Sequence, residues 1–240
     1  MEAQQNYLLI GNSRWHWAER TPAGSTAVSG ADTWRFSHGL PTQTCLDDLP
    51  SLTGWAAVGP VPSHPLLQST CRLGLGEIPL GEKPSWLGVD RALAGWGAWA
   101  RAGQASSVMV VDAGTVLSLT RVSSTGCFAG GWLAAGVSLQ LRAMAEGTVA
   151  LQLPGYSTSD LLAGMDFPLD TAQAMRRGVV ESLVGLISQA QEKDPSSLWL
   201  CGGDAPVLMS ALVSRGLAVT HAPDLVMQSM VSLVSSGPDR

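Results

Sequence analysis

The stretch Val108-Met109-Val110-Val111-Asp112-Ala113-Gly114-Thr115-Val116-Leu117-Ser118-Leu119-Thr120 decides how the chain folds. Four apolar residues in a row read as a buried strand, and Asp112-Ala113-Gly114-Thr115 reads as the small polar turn that ends it. Val116 to Thr120 is a second strand, stopped by the turn signal Ser123-Ser124-Thr125-Gly126. A third strand is expected at Cys127 to Trp132.

About 100 residues earlier the same pattern occurs. Tyr7-Leu8-Leu9-Ile10 leads into Gly11-Asn12-Ser13, and Arg14-Trp15-His16-Trp17 follows before the turn signal Thr21-Pro22-Ala23-Gly24. Two halves that each open as strand, glycine turn and strand predict a duplication, divided near Gly103-Gln104-Ala105-Ser106 into residues 1–104 and 105–240. The first half continues with a short strand over Trp55 to Gly59 and a helix from Asp90, with Leu93, Trp96, Gly97 and Ala100 on one face. In the second half, helices are expected over Leu133 to Glu146 and Thr171 to Lys193, with Ser157 to Asp160 capping another. A strand is expected at Ser197 to Cys201, a helix from Pro206, a strand at Leu217 to Thr220, and a last helix capped by Asp224. Strands followed by helices, twice, give an α/β fold with mixed sheets.

Composition bounds the function. The 240 residues are 45% hydrophobic and 14% charged, with net charge −5 and a mean hydropathy of +0.17. A packed globular protein is expected, without a basic footprint for nucleic acid. No segment reaches the ~20 apolar residues that span a bilayer, and the run behind the first residues is too short for a signal peptide. Cys45, Cys71, Cys127 and Cys201 form no metal-ligand spacing and are expected to be buried or semi-buried thiols in a reducing cytoplasm.

Four short motifs carry chemistry. Glycine lets the backbone approach a phosphate, and turn amides point outward as donors, so both Gly11-Asn12-Ser13 and Asp112-Ala113-Gly114-Thr115 suit a nucleotide; each alone also suits an ordinary hairpin turn. Gly88-Val89-Asp90-Arg91 opens a helix, where a carboxylate is a cap and equally an oriented proton acceptor, with Arg91 offering a fork for an anion. Cys201-Gly202-Gly203-Asp204 ends a strand before a helix. His16 lies among aromatic residues and reads as structural.

Taken in order, Gly11-Asn12-Ser13, GVDR at 88–91, DAGT at 112–115, Gly130-Gly131-Trp132-Leu133-Ala134-Ala135-Gly136 and CGGD at 201–204 resemble the motifs of type III pantothenate kinases. Thr148, Leu153-Pro154 and Thr171-Ala172-Gln173-Ala174 extend the likeness over nearly the whole chain. The resemblance implies a duplicated actin-like (ribonuclease H-like) fold, with two mixed-sheet halves flanking a nucleotide cleft. It implies ATP-dependent phosphorylation of pantothenate, the first step of coenzyme A biosynthesis, by a homodimer built through helices of the second half. Asp90 would be the general base, and Gly88, Val89, Asp90, Arg91 and Thr171 would contact pantothenate. Gly11, Asn12, Ser13, Arg14, Gly114 and Thr115 would contact ATP with its Mg2+, and Asp112 would hold a monovalent cation, potassium or ammonium. Two positions depart from the family. Leu9 stands where the family has an aspartate two residues before the glycine, and Gly81 where it tends to have a tyrosine, a place that Trp86 or Trp96 would fill. A non-catalytic relative and an actin-like kinase for another hydroxyl compound or for polyphosphate remain alternatives.

Overall fold

The computed structural model describes residues 5–21, 33–42, 44–157, 161 and 166–235. Among them, in chain order, are β1 (Asn6–Ile10), β2 (Trp15–Thr21), β3 (Thr33–Gly39), α1 (Thr44–Asp47), β4 (Gly54–Ala57), α2 (Pro65–Ser69) and α3 (Val89–Arg101). They are followed by β5 (Val108–Ala113), β6 (Val116–Val122), β7 (Phe128–Ala135), α4 (Val137–Gly147), α5 (Thr171–Lys193), β8 (Ser197–Cys201), α6 (Ala205–Ser214), β9 (Val219–His221) and α7 (Leu225–Ser235).

The chain forms two units, Met1–Gly97 with Asp224–Arg240, and Ala98–Pro223. These bounds differ from the expected halves in two respects: the division falls within α3, after Gly97 and not near residue 104, and the C-terminal helix returns to the first unit. α7 packs against β1 and β2, burying Leu225, Met227, Met230 and Val231. Its apolar side needs a sheet face, and the first unit supplies one.

In the first unit the sheet order is β3-β2-β1-β4. β1 runs antiparallel to β2 and parallel to β4, and β2 is antiparallel to β3. β1 is central and buried at every position, which is why its sequence is an unbroken apolar run rather than an alternation. Leu8, Ile10, Trp15, Trp17 and Trp55 pack with Leu46, Leu52 and Leu67 in one core cluster. Arg72 lies 5.0 Å over the ring of Trp55.

In the second unit the order is β7-β6-β5-β8-β9, again with a central strand antiparallel to one neighbour, β6, and parallel to the other, β8. Met109, Val111, Leu117 and Leu119 pack with Leu183, Val184 and Ile187 of α5 and with Leu208 and Leu212 of α6. The Asp170 carboxylate accepts a hydrogen bond from the Gln173 N–H at 2.9 Å and so caps α5.

Several expectations are corrected. Leu133-Ala134-Ala135 belongs to β7, not to a helix; Leu133 pairs with Ser118, and α4 begins after Gly136. Gly130 and Gly131 therefore lie inside a strand, Gly130 at φ +93°. Leu93 and Gly97 are buried on α3, whereas Trp96 and Ala100 are only half-buried. Cys45 and Cys71 are exposed, and Cys201 is buried. The cap expected at Ser157 to Asp160 and the turn at Thr21 to Gly24 lie mostly outside the described residues.

Candidate active site

At the end of β1 the chain turns through Gly11-Asn12-Ser13-Arg14. The Gly11 N–H donates to the Arg14 carbonyl at 3.0 Å, and the N–H groups of Val58 and Gly59 donate to the Ile10 carbonyl at 2.9 and 3.1 Å. Gly59 presses on the turn so closely that a Cβ there would stand 2.2 Å from the Gly11 carbonyl oxygen. Asn12, Ser13 and Arg14 are exposed. Leu9 is 3% exposed within β1, so a packed alkyl side chain fills the position where the resemblance leads one to expect a carboxylate.

The Gly88-to-Arg91 loop reaches the same end of this sheet. A Cβ on Gly88 would stand 3.5 Å from Val58 Cγ1 and only 2.5 Å from Asp90 Oδ1, so glycine makes room for the carboxylate. Asp90 Oδ1 accepts a hydrogen bond from the Arg91 N–H at 2.7 Å, in the first turn of α3. Burial raises its pKa above the ordinary 3.8, while the Arg91 N–H and guanidinium pull the other way. An oriented carboxylate of raised basicity is the form a proton acceptor needs.

The second unit repeats the arrangement. Asp112 lies in β5 opposite Cys201 of β8, and Gly202, at φ +92°, meets its carboxylate: a Cβ would stand 2.5 Å from Asp112 Oδ1 and 2.6 Å from the Ala113 backbone. The Asp204 N–H donates to the Ala113 carbonyl at 2.9 Å. Gly136 donates to the Thr115 carbonyl at 3.0 Å, and a Cβ on it would stand 2.1 Å from the Gly114 carbonyl oxygen. DAGT, CGGD and the start of α4 therefore form one cluster. Glycine is required at 202 and 136 because backbone occupies the space a side chain would need.

The Asp112 carboxylate, at the end of β5, offers oxygen donors of the hard kind that an alkali cation would take. The first turn offers amides without a carboxylate, and this donor set does not fit a Mg2+ ion. Thr171 is exposed at the start of α5, and none of the contacts that clamp the DAGT turn involves it. Trp86 is exposed and Gly81 half-buried.

Sequence reasoning passed over the part that Gly59 plays, and it read His16 as structural without naming its partners. Gly59 is the counterpart of Gly202 at the end of the parallel neighbour strand. His16 is hydrogen-bonded through Nδ1 to His38 Nδ1 at 2.7 Å, and His38 Nε2 to Asp224 Oδ1 at 2.9 Å. Burial, with smaller contributions from His38 and Arg14, lowers the His16 pKa to about 4. The Asp224 carboxylate thus bonds a histidine, while its carbonyl accepts the Gln228 N–H of α7.

The type III pantothenate kinase profile matches residues 63–193. A type III pantothenate kinase from Thermosynechococcus vestitus is 41% identical over 211 residues, covering 85% of this chain and 79% of that protein. One from Synechococcus elongatus is 31% identical over 97% of this chain and 94% of its own. Among solved structures, a Baf family protein of Campylobacter jejuni, named as a transcriptional activator, superposes over 98% of this chain and all of its own, with TM-score 0.67 and 18% identity. The activator of 2-hydroxyisocaproyl-CoA dehydratase from Clostridium difficile, with bound ADPNP, superposes over 98% of this chain and 97% of its own, with TM-score 0.52 and 10% identity. These structural likenesses concern the fold, which is a duplicated actin-like α/β fold. The sequence matches go further, because the profile covers more than half of the chain and the relatives match it at 31–41% identity over most of its length: this chain belongs to the type III pantothenate kinases.

Proposed function

We propose that this chain transfers the γ-phosphoryl group of ATP to the primary hydroxyl of pantothenate, opening coenzyme A biosynthesis, with Asp90 as general base. The observation that carries the base assignment is the Asp90 carboxylate itself, fixed by the Arg91 N–H at 2.7 Å with its basicity raised by burial. The second oxygen is left to accept the hydroxyl proton as the oxygen attacks phosphorus, a role typically worth ~10²–10⁴ in rate.

In this reading the Gly88-to-Arg91 loop holds pantothenate, with the Arg91 guanidinium for its carboxylate. Gly11 lets the backbone come close to the phosphates, and the amides of Asn12, Ser13 and Arg14 and of Gly114 and Thr115 take them, as turn donors fixed before the ligand arrives. Asp112 takes the monovalent cation, and Thr171 meets pantothenate across a homodimer interface. Mg2+ would arrive with ATP and neutralise phosphate charge, without a carboxylate from the first turn to hold it. No helix among the described residues is long and apolar enough to cross a membrane, and four free cysteines suit the reducing cytoplasm. A net charge of −5 supports small-molecule partners over nucleic acid.

Leu9 favours a second reading, a relative that keeps the fold without the chemistry. One assay separates the two: ADP formation by purified protein with ATP, Mg2+ and potassium, against pantothenate and a panel of other hydroxyl acceptors. Pantothenate-dependent turnover is expected. Its absence under every cation condition would refute the kinase proposal, and turnover on another acceptor alone would reassign the substrate.

A further inference from the structure

Three histidine and carboxylate side chains lie in one line beside the first glycine turn. Leu9, His16 and His38 are direct register partners across β1, β2 and β3, so they share the face of the sheet on which α7 packs. The His16 and His38 rings meet edge to face with centroids 4.9 Å apart. His16 Nε2, at the far end of the line, stands 3.4 Å from the point where a Gly11 Cβ would be, and it has no hydrogen-bond partner among the described residues.

The hydrogen bonds fix the tautomers. Asp224 is an acceptor, so His38 Nε2 carries a proton. When His38 is neutral its Nδ1 is bare and must accept, so His16 Nδ1 is the donor and His16 Nε2 holds a lone pair. A lone pair at a phosphate turn repels an anion. Uptake of one proton from solvent at His16 Nε2, with the Nδ1 proton passing from His16 to His38, reverses this. His16 then presents Nε2–H towards the turn while remaining neutral, and the positive charge rests on His38 against Asp224.

We infer that Asp224, His38 and His16 form a proton relay that converts His16 Nε2 from acceptor to donor when a nucleotide phosphate occupies the Gly11–Arg14 turn. The inference rests on the proposed reading of that turn as an ATP contact. His16 is the group that touches the phosphate, and His38 and Asp224 are positioning residues. The relay supplies a donor on the sheet row where Leu9 offers none.

Few other groups compete for this proton. On the row, β1 and β4 contribute Leu9 and Ala56, and α7 has no ionisable side chain after Asp224. The charges of His38 and, less strongly, Arg14 act on His16, and both oppose a charge on that ring. The Glu19–Arg35 pair lies on the opposite face, and Asp90 with Arg91 stands beyond Val58. Burial keeps His16 itself neutral, as the relay requires.

The test uses the full chain with the non-hydrolysable analogue AMPPNP. Nitrogen-15 histidine spectra should show His16 as the Nδ1–H tautomer alone and as the Nε2–H tautomer with AMPPNP. Titration calorimetry in two buffers of different ionisation enthalpy should register uptake of about one proton. The KM for ATP should rise about tenfold in Asp224→Asn and His38→Gln, whereas the KM for pantothenate should hold. Because the relay takes up a proton, the wild-type KM for ATP should climb as pH rises, and His16→Gln, with its permanent amide donor, should flatten that climb. AMPPNP binding without a tautomer change or proton uptake overturns the relay and leaves the ATP reading intact. Failure of AMPPNP to bind overturns both. If Asp224→Asn does not fold, the wild-type spectra decide.

Discussion

Gly202 stands against the carboxylate of Asp112, with 2.5 Å between Asp112 Oδ1 and the place where a Cβ would be. Its φ of +92° adds a second reason for glycine, since L side chains avoid that region. Gly202→Ala therefore meets backbone and carboxylate at once and cannot be relieved by a rotamer change. A loss of roughly 1–3 kcal/mol of stability is expected in urea unfolding, together with displacement of Asp112 and a weakened response to potassium. A variant with wild-type stability and a wild-type potassium titration would show that the contact is not rigid.

Gly59 occupies the equivalent place in the first unit, beyond β4, which is parallel to β1 as β8 is to β5. Its added Cβ would lie 2.2 Å from the Gly11 carbonyl oxygen and 3.0 Å from the Asn12 nitrogen. Gly59→Ala must push the turn outward, and the turn amides are the proposed phosphate donors. Its KM for ATP is expected to rise by about tenfold or more, because misplaced donors lose much of a charge-assisted hydrogen bond. An unchanged KM for ATP in a folded variant would remove the first turn from the nucleotide site.

Much of this was legible from residues alone, and the reasons for the misses are physical. β1 and β5 are central strands buried on both faces, so they announce themselves as apolar runs. α5 and β8 occupy the expected spans, since helix caps and strand-ending glycines are local signals. β3, Thr-Trp-Arg-Phe-Ser-His-Gly, is an edge strand in which residues 34 to 39 are all either half-buried or exposed, and nothing in its pattern marks it. Leu133-Ala134-Ala135 favours helix by propensity but is held as strand by pairing with β6. The His38–Asp224 contact joins residues 186 apart, and Gly59 meets Gly11 across the sheet. Such long-range contacts leave no local trace. The motif residues were visible because their backbone demands are local; their clamps were not.

Asp112 is expected to be the cation ligand. Asp112→Ala should abolish activation by potassium or ammonium and leave a basal rate that no longer varies with either ion. The check is a rate titration with each ion at constant ionic strength, so that screening of other charges stays fixed. A titration curve unchanged from wild type would refute the cation role while leaving the phosphate role of Gly114 and Thr115 untouched.

Asp90 ties activity to a cost in stability. Its pKa in the folded chain lies above the unfolded 3.8, chiefly through burial. The folded state therefore favours the protonated carboxyl. Asp90's relative contribution to stability is greatest below 3.8 and declines as pH rises through the folded value, so at neutral pH the ionised carboxylate is a net burden. Asp90→Asn keeps the shape and removes the charge. It should retain the fold, match or exceed wild-type stability at neutral pH, and lose that advantage as pH falls towards 3.8. Its turnover should drop by roughly 10²–10⁴, because the amide cannot take the hydroxyl proton. The wild-type rate should fall on the acid side with a midpoint above 3.8, and this limb should vanish from the residual rate of the variant. Wild-type turnover in Asp90→Asn would remove the base assignment. Lost turnover with lost stability at neutral pH would instead make Asp90 a helix-start support, so the unfolding curve and the rate must be measured on the same preparation.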